Sequence, residues 1–293
     1  MLIIQGMEKR IMIKNLFLCV GAQKAGTTWL YAQLKDHPEI GFSGVKEVHY
    51  FNTLYCDSIL LTRRKVNELE RILKEKRSAL ERYFSNVSSG KPVNKVIHEL
   101  LSPVNDQWYI KLFSHSGKKY AADFSPEYAL LPDAGFENIK RVCQNKKILF
   151  IMRDPVDRAK SAMRYFFEMQ NTDIRDVTRE ELVELAYSDM IIEKSSYHVT
   201  VQKLQEHFRP EDLLFLFYED LMRNKQKAIN QITDFLEVAA VALPEERLER
   251  KVNVTHDFDF SNEIDKKLKA KLKDTYDALS ARFSKLPESW GQA

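Results

Sequence analysis

The chain has 293 residues, 44% of them hydrophobic, which is enough apolar material to core one large α/β domain or two small ones. Its 45 Lys+Arg against 42 Asp+Glu leave a net charge of +3, too small a surplus for a dedicated nucleic-acid binder, so any anion site must be local. Cys19, Cys56 and Cys143 are widely spaced, with no CxxC pair and no histidine cluster beside them; they give neither a disulfide framework nor a zinc site and fit a reducing cytoplasm.

The stretch Met1 to Arg10 lacks the basic start and long apolar segment of a signal peptide, and reads as a ragged extension before Met12. From Met12 to Val20 the chain is apolar and β-prone and runs into Gly21, as a buried parallel strand entering a loop does. Its core, Leu16 to Val20, is too short to cross a bilayer, so the sequence predicts a cytoplasmic protein without a transmembrane anchor. Thr27 or Thr28 can cap a helix over Trp29 to Leu34, which must stop before Pro38.

Leu61 to Phe84 is charged, with apolar residues at Val66, Leu69, Ile72, Leu73, Leu80 and Phe84, the spacing of a solvated amphipathic surface helix. A second buried strand is predicted over Lys146 to Met152, followed by Arg153-Asp154-Pro155 and a helix from Val156 to Met169. The third is Leu213 to Tyr218, followed by Glu219-Asp220 and a helix ending at Leu236. Ile264 to Phe283 reads as one last charged helix. Strand, loop and helix in repeated order predict an α/β fold, a P-loop-like parallel sheet flanked by helices, with ligands at the carboxyl ends of the strands. No internal repeat, Pro-rich linker or low-complexity tract interrupts it, which predicts a single domain over residues 1–293.

Gly21 and Gly26 keep the glycine spacing of a nucleotide phosphate loop, GxxxxGK[ST]. Thr27-Thr28 stands where Lys-Ser/Thr is expected, and the lysine, Lys24, lies inside the loop. The scaffold can still wrap a phosphate, because glycine permits close approach and a helix N-terminus favours negative charge. Magnesium-dependent chemistry calls for an acid at the end of a neighbouring strand. Here that place is taken by Arg153, which suits a second anion and predicts a donor that needs no metal, of the shape of adenosine 3′,5′-bisphosphate. Ser161, eight residues beyond Arg153, can reach the same phosphate if a helix starts near Pro155. Taken singly, the first motif is an ordinary tight turn and helix cap, and Arg153-Asp154-Pro155 a turn with a local salt bridge.

Together these segments resemble the sulfotransferase family that uses 3′-phosphoadenosine-5′-phosphosulfate (PAPS). Its 5′-phosphosulfate loop QKxGTTxL is matched by Gln23 to Leu30, and its 3′-phosphate element RxPxxRxxSxxxY by Arg153 to Tyr165. Lys46-Glu47-Val48-His49-Tyr50-Phe51 is similar to the KExHFF stretch of the branch that sulfates glycosaminoglycans and of related bacterial enzymes, where the glutamate is the catalytic base. Asp123 to Tyr128 is similar to a following EKSPxY stretch, with Asp123 in place of Glu and Phe124 in place of Lys.

The resemblance implies that Glu47 takes the acceptor proton and that Lys24 stabilises the departing phosphate oxygen. It implies that Lys24, Ala25, Gly26, Thr27, Thr28 and Trp29 hold the 5′-phosphosulfate, that Arg153 and Ser161 hold the 3′-phosphate, and that a loop at Lys251 closes over the nucleotide. His49 orients Glu47 or the acceptor, or is itself the base, since its ordinary pKa near 6.5 suits proton transfer. Without the resemblance, Glu47 is a loop carboxylate paired with Lys46, and His49 a packed core histidine. Trp29 reads as helix packing more than nucleotide stacking. Tyr50, Phe51, Tyr128, Tyr165, Phe166 and Phe167 read as core more than acceptor contacts. Two rivals differ in chemistry: a kinase or nucleoside triphosphatase on the same loop, and a non-catalytic nucleotide-binding protein. The acceptor, a small molecule, carbohydrate or lipid hydroxyl, and the oligomeric state are not set by these residues.

Overall fold

A computed structural model describes residues 11–43, 45–83, 102–114, 117–250 and 258–290. Five strands, β1 (Ile13–Gly21), β2 (Ile40–Phe42), β3 (Tyr120–Phe124), β4 (Cys143–Met152) and β5 (Leu213–Phe217), form one parallel sheet in the order β2-β3-β1-β4-β5. The helices that matter for the site are α1 (Thr27–Leu34), α2 (Tyr50–Tyr55), α3 (Leu60–Tyr83), α4 (Asp106–Leu112), α5 (Asp133–Val142) and α6 (Pro155–Met169).

Strand β1 is central, and its last six residues, Leu16 to Gly21, are all buried because both faces of the sheet are covered. It pairs with β3 (Leu18 opposite Asp123) and with β4 (Leu18 opposite Ile148), while β5 extends the sheet beyond β4. The chain leaves β1 toward β2 and β3 on one side and takes β4 and β5 on the other. The carboxyl ends of β1 and β4 therefore lie at the point where the connections diverge, the usual ligand position in such sheets. Gly21 closes the first of these ends and Arg153 follows the second.

The predicted strands at 12–20, 146–152 and 213–218 are β1, β4 and β5, with Tyr218 given up to the next helix. Strand β2 has only three residues and β3 carries the fully buried Asp123, so neither presents an apolar run. The surface helix predicted over 61–84 is α3, although Phe84 lies outside the described residues. The predicted C-terminal helix is two, Asn262–Lys271 and Lys273–Arg282. They break at Leu272 (φ −99°, ψ 9°), which is buried; beyond it His198 Nδ1 meets Thr275 Oγ1 at 3.0 Å and ties the second helix to the helix Tyr197–His207.

Helix α6 starts where it does because Asp154 accepts the N–H groups of Val156 and Asp157 at 2.9 and 3.1 Å, and Pro155 fits the first helical turn. Its inner face, Val156, Ala159, Met163 and Phe167, packs against Leu182, Leu185, Ile264 and Leu268 in a second apolar cluster beside the main one around the sheet.

Candidate active site

The loop after β1 is built around two glycines. A Cβ on Gly21 would stand 2.8 Å from the Phe150 ring, and one on Gly26, where φ is +83°, would stand 3.0 Å from the Tyr218 ring. Gly26 is also the residue that begins α1, and no side chain caps that helix. Thr27 and Thr28 thus occupy its first turn and do not cap it as the sequence predicted. The reason is conformational: the turn needs a left-handed residue, which glycine adopts without strain and threonine does not. The consequence is a helix N-terminus open to an anion, with no acidic residue in its first turn.

Lys24 is left-handed too (φ 71°), and its ammonium lies 4.4 Å over the Tyr165 ring. Burial pushes its pKa below the ordinary lysine value; Glu168 opposes this, while Arg153, Arg164 and Arg158 add to it. Arg153 stacks at 5.0 Å on the Tyr218 ring and donates to the Lys24 carbonyl at 3.5 Å. Asp154 Oδ1 accepts the helix N–H groups already named and the Tyr276 hydroxyl at 2.9 Å.

Lys24, Gly26, Thr27, Thr28, Trp29, Arg153 and Ser161 all line one cleft of about 550 Å³, together with Glu47, Arg164, Tyr165 and Arg250. Ala25 sits fully buried behind the loop. Trp29, also buried, donates Nε1 to the Leu248 carbonyl at 3.1 Å, so it fastens the segment that leads to Arg250. Lys251, the next residue, lies outside the described residues. Among the described residues, neither Lys24 nor Arg153 has a carboxylate within ion-pair distance.

On the other wall, Glu47 faces the cleft while His49 lies behind it, 4% exposed. Glu47 contacts the Lys46 ammonium, and its Oε2 is 3.3 Å from His49 Nε2. Burial pushes the Glu47 carboxyl up, but the hydrogen bond from His49 and the Lys46 charge outweigh it and hold the group down at about 2. The segment is pinned by its backbone: Val48 N–H donates to Asp123 Oδ1 at 3.4 Å, His49 N–H to Ser125 Oγ at 3.2 Å, and Tyr50 N–H to the Tyr128 hydroxyl at 2.9 Å. This pinning sustains the left-handed backbone of His49 (φ 59°).

Asp123 is the hub. Burial pushes its carboxyl up, and the Ser125, Tyr128 and Tyr109 hydroxyls, at 2.7, 2.7 and 3.1 Å, pull it part of the way back. Phe124, where the resembling motif has lysine, packs on Phe17 and Phe42 in the core. Tyr128→Phe leaves the buried Tyr50 N–H without its acceptor and Asp123 short of a donor. It should lower stability by about 2 kcal/mol in urea unfolding. A midpoint equal to the wild type's would mean that the hydroxyl is not part of the support.

Tyr50, Phe51 and Tyr128 are buried in one aromatic cluster with Tyr109, as core residues, whereas Tyr165 faces the cleft. The sequence reading missed Glu127, whose Oε2 is 3.8 Å from His49 Nδ1, and Lys194, which pairs with Glu127 at 3.2 Å. Lys194 belongs to no motif, and only the fold brings it to the site.

A family model for the sulfotransferase domain matches residues 14–278. The chain belongs to the sulfotransferase domain family. Its members take the sulfuryl group from PAPS. Mouse carbohydrate sulfotransferase 15 is 23% identical to this chain over 276 residues, covering 85% of this chain and 48% of the relative. The membrane-associated sulfotransferase kil1 of Dictyostelium discoideum is 23% identical over 167 residues, covering 56% and 25%. The chain therefore spans between a quarter and about half of the length of these curated relatives. A solved sulfotransferase from Alicyclobacillus acidocaldarius shares the fold, with a TM-score of 0.67, 18% identity and coverage of 95% of this chain and 99% of that one. Among the described residues, no helix of this chain is long and apolar enough to cross a membrane.

Proposed function

We propose that this chain is one sulfotransferase domain that moves a sulfuryl group from PAPS to the hydroxyl of a small-molecule, carbohydrate or lipid acceptor, without a metal ion. The observation that carries the reading is the convergence of Lys24, Arg153, Ser161 and Glu47 on one cleft. The cleft suits the donor in two respects: Gly26 leaves a cradle that any side chain would fill, and the cations Lys24 and Arg153 carry no ion pair among the described residues.

When bound, PAPS supplies a sulfuryl group on a phosphate leaving group. The N–H groups at the start of α1, from Thr27 to Trp29, and Lys24 hold the 5′ side; Arg153 and Ser161 hold the 3′-phosphate; and Ala25 packs the loop from behind. Lys24 stabilises the charge that grows on the departing oxygen. Glu47, ionised at neutral pH and facing the cleft, accepts the acceptor proton, while His49 orients it from behind through Nε2. Arg153 stands where a metal-holding acid would be, which favours a metal-free transfer. A reducing, cytoplasmic setting suits the unpaired Cys19, Cys56 and Cys143, two of them buried with thiols pushed up to about 12.

The test is release of adenosine 3′,5′-bisphosphate from PAPS, with p-nitrophenol or water as acceptor, before and after treatment with EDTA. Equal turnover in both is expected; turnover that stops with EDTA and returns with magnesium would defeat the metal-free reading.

A further inference from the structure

Lys194 stands in the 3₁₀ turn Glu193–Ser195, with its side chain 18% exposed. Its ammonium donates to Gln23 Oε1 at 3.3 Å and to Glu127 Oε1 at 3.2 Å. Gln23 lines the donor side of the cleft. The other oxygen of Glu127 accepts from Asn52 Nδ2 at 3.1 Å and faces His49 Nδ1 at 3.8 Å, and His49 turns Nε2 to Glu47. Lys194, Glu127 and His49 therefore stand in that order between the donor loop and Glu47, with Glu127 Oε2 3.8 Å from His49 Nδ1, a buried nitrogen that has no hydrogen bond among the described residues.

The turn that carries Lys194 is fixed from the helix that carries Ser161. Arg158 of α6, fully buried, donates Nε to Ser195 Oγ at 2.8 Å and NH2 to the Ile191 carbonyl at 2.6 Å. Ser195 Oγ in turn donates to the Pro155 carbonyl at 3.1 Å. A guanidinium buried among neutral acceptors is costly to the fold, and burial pushes its pKa down to about 10. What that arginine achieves locally is a rigid seat for residues 193–195. Three elements meet there: the donor loop, α6 and the turn Pro126–Leu130 that carries Glu127.

We propose that Lys194 is a positioning residue that couples the donor loop to the Glu47–His49 pair. Holding Glu127 against His49 Nδ1 sets the ring orientation that turns Nε2 to Glu47, and holding Gln23 ties that orientation to the donor loop. A lysine suits the task because its ammonium offers three donors from one point and reaches an amide and a carboxylate at once. The inference rests on the donor and base assignments proposed above.

The experiment compares wild type, Lys194→Met, Lys194→Arg, Glu127→Gln and the Lys194→Met/Glu127→Gln pair. Turnover is read as release of adenosine 3′,5′-bisphosphate from PAPS with p-nitrophenol or water as acceptor, and binding of adenosine 3′,5′-bisphosphate by calorimetry. Lys194→Met should lower kcat on the order of 10- to 100-fold, the cost of a slightly misplaced catalytic group, with the dissociation constant changed less than about threefold. Lys194→Arg should recover most of the rate. The double variant should be no slower than Lys194→Met, because both changes break one bridge.

Wild-type kcat in Lys194→Met, a loss of binding in proportion to the loss of rate, or losses that multiply in the double variant each overturn the inference. Should Lys194→Met not fold, Glu127→Gln, nearly equal in shape, decides alone: a lowered kcat supports the bridge and an unchanged one removes it. A wild type that neither binds adenosine 3′,5′-bisphosphate nor releases it from PAPS defeats the donor assignment itself, and the inference with it, and that failure is visible before any variant is compared.

Discussion

Replacing Glu47 by Gln should lower the rate of sulfuryl transfer by about 10²- to 10⁴-fold, the usual contribution of a positioned base, while adenosine 3′,5′-bisphosphate binds as before. The amide keeps the shape of the side chain and its place on the cleft wall but cannot take a proton from an incoming hydroxyl. Donor binding is expected to hold because the 3′-phosphate and 5′ contacts come from Arg153, Ser161 and the start of α1, on the far wall. His49 is buried behind Glu47, so the proposal gives it the orienting role. A Glu47→Gln enzyme with undiminished turnover would remove the base assignment and return Glu47 to the role of an ion-pair partner for Lys46.

Lys24→Ala should cost about 10²- to 10³-fold in kcat, the loss seen when one preorganised donor to a developing anion is removed. The same residue sets a pH limit. Its ammonium must be charged to stabilise the leaving oxygen, and burial with the nearby arginines lowers its pKa from the ordinary 10.5. A lowered cation pKa means that the charged form is lost earlier as pH rises, so activity should fall on the alkaline side at a pH below 10.5. Lys24→Arg, whose guanidinium stays charged, should keep part of the rate and lose that alkaline limb. The profile of kcat/KM against pH for the two enzymes checks this, and identical alkaline limbs would place the titration on another group.

How much of this was legible before the fold was known follows from how each residue acts. The strands β1, β4 and β5 are apolar runs; β1 and the second half of β4 are buried in the sheet, and β5 at its edge keeps the run although only Leu216 is buried. Strand β3 hides because its key residue is a buried carboxylate, satisfied by Tyr109, Tyr128, Ser125 and the Val48 N–H, partners that no local pattern reveals. The donor loop was readable because its chemistry is local: two glycines, a lysine and a helix start. Its cap was misread, since threonine is the common cap in sequence but the turn demanded the left-handed Gly26. Arg153-Asp154-Pro155 was readable as an anion element, yet Asp154 works as a helix cap tied to Tyr276, 122 residues away. Glu47 stood out only through the family resemblance, because a lone loop carboxylate has no signature of its own. Lys194 and Glu127 are 67 residues apart and meet through tertiary structure alone.

The most direct test of the donor assignment is calorimetric titration of the purified protein with adenosine 3′,5′-bisphosphate and, separately, with ATP and magnesium. If Arg153 and Ser161 hold a 3′-phosphate, as proposed, the bisphosphate should bind at least about tenfold more tightly, a margin well within the worth of a charge-assisted phosphate contact. Binding of ATP with magnesium that equals or exceeds that of the bisphosphate would contradict the assignment.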